Sequence, residues 1–218
     1  MTESLGEQSM QRLLDAVAAR TTAPGGGAVT GVVTALAGAL VAMCARFSGS
    51  DPTQGTDLTQ RTDLTQRTNV TNLAGRADEL RARAVSLAQS DLAVYAEYLK
   101  ARRAGSDSDV AAALDEAIRI PLEMAEVAAE LAEIALGLAR TGNPNLRGDA
   151  TTAVLIGVAA AKAGAVLVAE NLSGTDSVPR LTDPRLADPR LARAAAIVTS
   201  ATAAERHALS LYPVLRAT

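Results

Sequence analysis

The chain has 218 residues, a formal net charge of -3 and a pI near 5.3, with 48% hydrophobic and only 2% aromatic residues. With no basic excess and four aromatics it lacks both the charge and the stacking surfaces that hold nucleic acid. One cysteine (Cys44) and one histidine (His207) exclude zinc, iron-sulfur, His-carboxylate di-iron and Cys-x-x-Cys redox sites.

Alanine makes up about a fifth of the sequence, and it joins the best helix propensity to the smallest apolar side chain. The expectation is an all-α, single-domain helical array spanning residues 1–218. A first helix over residues 9–20 places Met10, Leu13, Leu14 and Val17 on one face. It ends at Thr21-Thr22-Ala23-Pro24-Gly25-Gly26-Gly27, which leads into an apolar segment at 28–47 with no charge before Arg46. Gly31, Ala35, Gly38 and Ala42 give that helix a smooth side for close backbone contact. Residues 48–72 are polar, with Thr-Asp-Leu-Thr-Gln-Arg written twice, and read as a low-complexity solvated loop.

From Leu73 a buried seam runs through Ala77, Leu80, Ala84, Leu87, Asp91, Val94 and Tyr98 in steps of four and three. Gly105 breaks the helix, and Asp107, Ser108 and Asp109 offer caps for the next. Pro121 kinks that helix or restarts it. The cluster Thr141-Gly142-Asn143-Pro144-Asn145-Leu146-Arg147-Gly148-Asp149 is too rich in turn formers to be helical, and it introduces a second apolar helix at 150–171. Leu-x-Asp-Pro-Arg occurs twice within a Pro-rich connection at 173–190, and a last helix covers 191–211.

The two apolar segments are long enough to span a bilayer. They are built from Ala, Gly, Thr and Val, however, and Lys162 would lie near the bilayer centre at a cost of about 3 kcal/mol. Two central helices of a soluble protein fit better, with no membrane partner. A lone cysteine and an N-terminus without signal-peptide order place the chain in the cytoplasm.

Three features offer chemistry. The Pro24-Gly25-Gly26-Gly27 turn precedes a helix whose free N–H groups favour an anion. Asp91 stands in an apolar seam, so it is paired with an Arg, protonated, or facing a polar cavity. Asp149 opens the second apolar helix as an N-cap for Thr151 or Thr152. If the two apolar helices lie side by side, both N-termini point into one pocket.

In this order, Thr-Ala-Pro-Gly-Gly-Gly-Ala, Asp91 followed by Tyr95, Pro121-Leu122, Gly142-Asn143-Pro144-Asn145 with Gly148-Asp149-Ala150, and Glu170-Asn171-Leu172 resemble the cyclodeaminase/cyclohydrolase family. That family includes the C-terminal domain of formiminotransferase-cyclodeaminase and stand-alone methenyltetrahydrofolate cyclohydrolases. The resemblance implies a homodimer and a folate cleft holding Pro24, Gly25, Gly26, Gly27, Asp91, Asn143, Asn145, Asp149 and Asn171; the base and the acid that the reaction needs are assigned to Asp149 and Asp91, in either order. A tetrahydrofolate derivative is then the substrate, with no metal and no tightly bound cofactor. Ala28 and Gly148 replace the family's usual serines, and the Thr/Gln/Arg repeats replace a Lys-bearing segment. The expected activity is that of a methenyltetrahydrofolate cyclohydrolase or a formimidoyltetrahydrofolate cyclodeaminase. The alternatives are a non-catalytic helical homo-oligomer, a folate-binding relative, and a small helical membrane protein.

Overall fold

Small side chains set the helix spacing. The computed structural model describes residues 5–49, 60–173 and 187–216. Among these it has six α-helices and no strand: α1 Met10–Ala18, α2 Gly26–Ser48, α3 Gln60–Ala104, α4 Asp107–Thr141, α5 Arg147–Ser173 and α6 Pro189–Leu209. Short 3-10 turns occupy Pro144–Leu146 and Pro213–Arg216. The all-α array is as expected, with α2 packed against α3, α4 and α5, and α5 packed against α2, α4 and α6.

Glycines on the smooth side of α2 let α3 lie against its backbone. A Cβ on Gly31 would stand 2.6 Å from the Ala88 Cβ, and one on Gly38 would stand 3.0 Å from the Arg81 Cβ. The α4–α5 contact is built likewise, since a Cβ on Gly164 would meet the Pro121 carbonyl oxygen at 2.8 Å. Larger residues fill the core between these contacts: Leu87, Ile120, Met124, Leu131, Val41, Val154 and Val158 are almost wholly buried. Along the α3 seam Ala77, Leu80, Ala84 and Leu87 are buried, while Leu73, Asp91, Val94 and Tyr98 are half-buried.

The observed elements depart from the sequence reading in several places. α3 begins at Gln60, so the segment 60–72 is helical rather than loop. Val70 and Leu73 pack on the core, and once that anchored turn exists, each further residue extends the helix at little cost. Residues 50–59, including most of the first hexapeptide, lie outside the described residues, as does most of the 173–190 connection. α1 is shorter than expected and is capped by Ser9, whose Oγ accepts from the Arg12 N–H. Of its apolar residues Leu13 is buried, whereas Met10, Leu14 and Val17 are exposed. The cap of α4 is Ser106, which leaves Asp107 and Asp109 in the first turn, where the helix dipole favours them.

Pro121 neither ends nor restarts α4, which runs through it. Its missing N–H leaves the Ala117 carbonyl without its usual donor four residues on. The Asn171 side-chain amide of α5 donates to that carbonyl at 2.5 Å. A proline tolerated mid-helix is thus accounted for by one amide on a neighbouring helix.

Among the described residues two helical stretches, Gly26–Ser48 and Pro144–Ser173, are long and apolar enough to cross a membrane, and about half of each is buried inside the fold. Lys162 pairs with Glu205 of α6 at 2.6 Å.

Candidate functional site

The first candidate region lies where α2 begins. A cis peptide joins Ala23 to Pro24, and Gly25 caps α2 with extended backbone and no side-chain acceptor of its own. The acceptor comes from α3, because the Asp91 carboxylate takes a hydrogen bond from the Ala28 N–H. It reaches that position through Gly27, where a Cβ would lie 2.1 Å from Asp91 Oδ1, 2.3 Å from Cγ and 2.4 Å from Oδ2. The last glycine of the turn therefore makes room for the acid. Burial pushes the Asp91 carboxyl above its ordinary range, and the Ala28 bond opposes this in part. Among the described residues no arginine pairs with Asp91, and its donor is the Ala28 backbone N–H.

The second region lies where α2 ends. Ser48 Oγ donates to the Cys44 carbonyl at 2.8 Å and accepts from the Asn143 N–H at 2.9 Å. The Asn143 amide nitrogen donates to the Phe47 carbonyl at 3.4 Å, and its Oδ1 accepts from the Asn145 N–H at 3.0 Å. The Gly142-Asn143-Pro144-Asn145 segment thus closes the C-terminus of α2, whose last carbonyls have no donors within the helix. Gly142 fits because a Cβ there would stand 2.5 Å from the Leu138 oxygen and 2.8 Å from Ser48 Oγ.

Asp149 is not the N-cap of α5. The 3-10 turn runs straight into the helix and moves its start back to Arg147, so Asp149 sits in the first turn. Its charge reaches Cys44, whose thiol is pushed up to about 11, first by burial and then by Asp149. Cys44 is buried, as a small apolar core residue would be, and His207 is exposed on α6.

The expectation of one pocket formed by both apolar-helix N-termini is corrected by direction. α2 and α5 are neighbours, but they run antiparallel: a Cβ on Gly26 would be 3.7 Å from Leu167 near the end of α5, while Asn143 before α5 holds the end of α2. Pro24, Gly25, Gly26, Gly27, Asp91 and Asn171 gather at one end of the helix pair, and Asn143, Asn145 and Asp149 at the other. The spacing between the two ends is about 25 Å, from some 16 residues of α2 at about 1.5 Å rise. The amide of Asn171 is committed to Ala117. Ser48 was not singled out from sequence, since a serine at a helix end carries no signal until its partner loop is known. The role of Asn171 was signalled by Pro121, which orphans a carbonyl that something must satisfy. Among the described residues no group of three His, Cys, Asp or Glu converges to hold a metal ion.

This arrangement puts a raised carboxyl beside backbone N–H groups at one end and an ionisable acid beside an Asn-rich turn at the other. The first suits proton donation next to an anion or polar ring, and the second suits polar recognition. No curated relative matches the chain. In fold it is similar to the crystal structure of formiminotetrahydrofolate cyclodeaminase from Thermotoga maritima, with a TM-score of 0.80, 24% identity, and coverage of 97% of this chain and 99% of that one. The family model described as formiminotransferase-cyclodeaminase matches residues 9–180. The chain belongs to the formiminotransferase-cyclodeaminase family.

Proposed function

We propose that this protein is a folate one-carbon enzyme, acting at the carbon between N5 and N10 of a tetrahydrofolate derivative in the cytoplasm, with no tightly bound cofactor. Its reaction is that of a methenyltetrahydrofolate cyclohydrolase or a formimidoyltetrahydrofolate cyclodeaminase. Family membership supplies the reaction class, and the observation that carries the reading is Asp91. This half-buried carboxyl, raised by burial, is held on the first turn of α2 beside a glycine turn that leaves the backbone open to a ligand.

In the cyclohydrolase reaction a water oxygen bonds to the methenyl carbon, a base takes the water proton, and the C–N5 bond breaks as N5 takes a proton. In the cyclodeaminase reaction N10 bonds to the formimino carbon, and ammonia leaves after its nitrogen is protonated. Both need a base and then an acid. Asp91, with its raised carboxyl, is the better acid, and Asp149 is left as the base; because the two stand at opposite ends of α2 in one chain, they meet on one carbon only across the homodimer that the resemblance implies, with the partner's Asp149 beside Asp91. The folate glutamate carboxylate is suited to the α2 N-terminus, and the pterin donors and acceptors to Asn143 and Asn145.

Absorbance assays with methenyltetrahydrofolate and with formiminotetrahydrofolate, run side by side, test the reading. Turnover of one is expected, and turnover of neither refutes it. Asp149→Asn is expected to lower turnover by about 100- to 10,000-fold while changing stability by less than about 1 kcal/mol, the worth of a charge in a helix first turn. The Thr/Gln/Arg repeats at 56–67, in place of the Lys-bearing segment, favour a second reading as a folate-binding relative. Binding of tetrahydrofolate without turnover would establish that one.

A further inference from the structure

The chain has three tyrosines, and two of them are engaged. The Tyr98 ring carries the Arg102 guanidinium 5.9 Å from its centre, and the Tyr212 hydroxyl stands 3.3 Å from the Thr151 hydroxyl. Tyr95 differs from both. It is 40% exposed, and among the described residues its hydroxyl has no hydrogen-bond partner and its ring carries no cation.

Its place follows from how α3 lies on α2. A Cβ on Gly38 would meet Arg81, one on Gly31 would meet Ala88, and one on Gly27 would meet the Asp91 carboxyl. The two helices therefore run antiparallel, and the next step of the same register sets Tyr95 level with Pro24. Tyr95 is one turn, about 5.4 Å, beyond Asp91 and on the same face of α3. Helical side chains lean toward the N-terminus of their own helix, which brings the ring back over the turn that holds Asp91. On the α5 side Leu167 closes on the glycine turn, 3.7 Å from where a Cβ on Gly26 would be. An aromatic ring and a leucine thus flank a stretch of backbone that has no side chains, with the acid at its inner end.

We propose that Tyr95 is the ring-binding residue of the site, with its face stacked on the p-aminobenzoyl ring of the folate. This rests on the folate reading above, in which the glutamate carboxylate takes the first N–H groups of α2 and the reacting carbon lies at Asp91. The p-aminobenzoyl ring joins those two points, since it bears the glutamate on one side and N10 on the other. A flat aromatic surface beside the glycine turn, one helical turn from the acid, is where that ring passes. Offset stacking uses the ring face and leaves the hydroxyl idle, in keeping with a hydroxyl that has no partner. The stacked ring takes no part in bond breaking, so it is held equally in the ground and transition states, and Tyr95 sets affinity rather than rate.

Steady-state kinetics of Tyr95→Ala and Tyr95→Phe, on whichever folate the unaltered chain turns over, test the stacking. Tyr95→Ala is expected to raise KM by about 10- to 100-fold, the worth of one stacked ring, with kcat and the thermal midpoint nearly unchanged. Tyr95→Phe is expected to keep the KM of the unaltered chain. An Ala variant with unchanged KM, a Phe variant as weak as the Ala variant, or a fall in kcat at constant KM overturns the stacking and leaves the folate reading in place. A second measurement needs neither turnover nor a truncated side chain. Magnetic resonance of the chain labelled at its three tyrosines gives three sets of ring signals, and the set missing from Tyr95→Phe belongs to Tyr95. Added p-aminobenzoylglutamate is expected to shift that set more than the other two, and 6-hydroxymethylpterin to leave it in place. A larger response to the pterin overturns the choice of ring, and no response to either overturns the site. Turnover of neither folate by the unaltered chain removes the folate reading, and the Tyr95 signals then decide by themselves whether the ring is bound.

Discussion

Gly27→Ala separates local propensity from the geometry of the site. Gly27 lies in the first turn of α2 with ordinary helical backbone, and on propensity alone alanine there stabilises by up to about 1 kcal/mol. The added Cβ, however, would fall 2.1–2.4 Å from three atoms of the Asp91 carboxyl. With Oδ1, Cγ and Oδ2 all too close, turning the carboxyl about its own axis gives no relief, and the side chain must leave. Asp91 then loses its bond to the Ala28 N–H, and a half-buried carboxyl loses its partner, at a cost of about 1–3 kcal/mol. With the full propensity gain subtracted, the net expectation is a loss of up to about 2 kcal/mol. In a chain of this size that lowers the thermal midpoint by up to about 8 °C. The measurement is a double-mutant cycle with Asp91→Ala by thermal unfolding. In the Asp91→Ala background nothing obstructs the new methyl, so Gly27→Ala should become neutral or stabilising. If Gly27→Ala stabilises the unaltered chain as well, the account of the glycine is wrong.

The Asp91 carboxyl is raised in the folded chain, so the native state binds the proton more tightly than the unfolded chain does. Its contribution to stability is therefore fully present at acid pH and is lost as pH rises from the ordinary carboxylate range through the raised value. Asp91→Asn should remove that fall, which is seen by comparing thermal midpoints of the two proteins at about pH 4 and pH 7. Cys44, at about 11 against an ordinary 9.0, should carry roughly 100-fold less thiolate near pH 8 than a free thiol and react correspondingly slowly with a disulfide reagent unless the chain is unfolded. Asn171→Ala should cost about 1–3 kcal/mol by leaving the Ala117 carbonyl unpaired. Most of that cost should vanish in a Pro121→Ala background, where the backbone supplies its own donor, and chemical denaturation of the four proteins checks this.

The seam that exposes Asp91 as an anomaly is legible in the sequence because Leu, Ala and Val repeat around it at helical spacing. Residues 60–72 read as loop because Thr, Gln and Arg signal polarity rather than conformation, and the anchor that extends the helix, Val70 against the core, is a tertiary contact. The direction of α5 relative to α2 was open to counting: three chain reversals separate them, and an odd number of antiparallel turns makes two neighbours run oppositely. Asp149 reads as a cap in the sequence because caps are read from the residue before an apolar run, whereas Pro144–Leu146 begins the winding earlier. That Asp91 caps a helix other than its own depends on a contact between residues 63 positions apart, which no local pattern encodes.

The Ala- and Gly-lined contacts of α2 with α3 and of α4 with α5 have a consequence for how this molecule tolerates change. Alanine and glycine surrender no side-chain rotamers on folding, so these contacts are gained without the conformational loss that accompanies burial of Leu or Met. They also contain little that can be removed, since truncation at such positions deletes at most one methyl. What they do not accept is added volume: a single extra carbon at Gly31 or Gly164 must displace the opposing backbone rather than a movable side chain. Along these two seams the sensitive substitutions are enlargements, the reverse of a core built from large residues, where cavities do the damage.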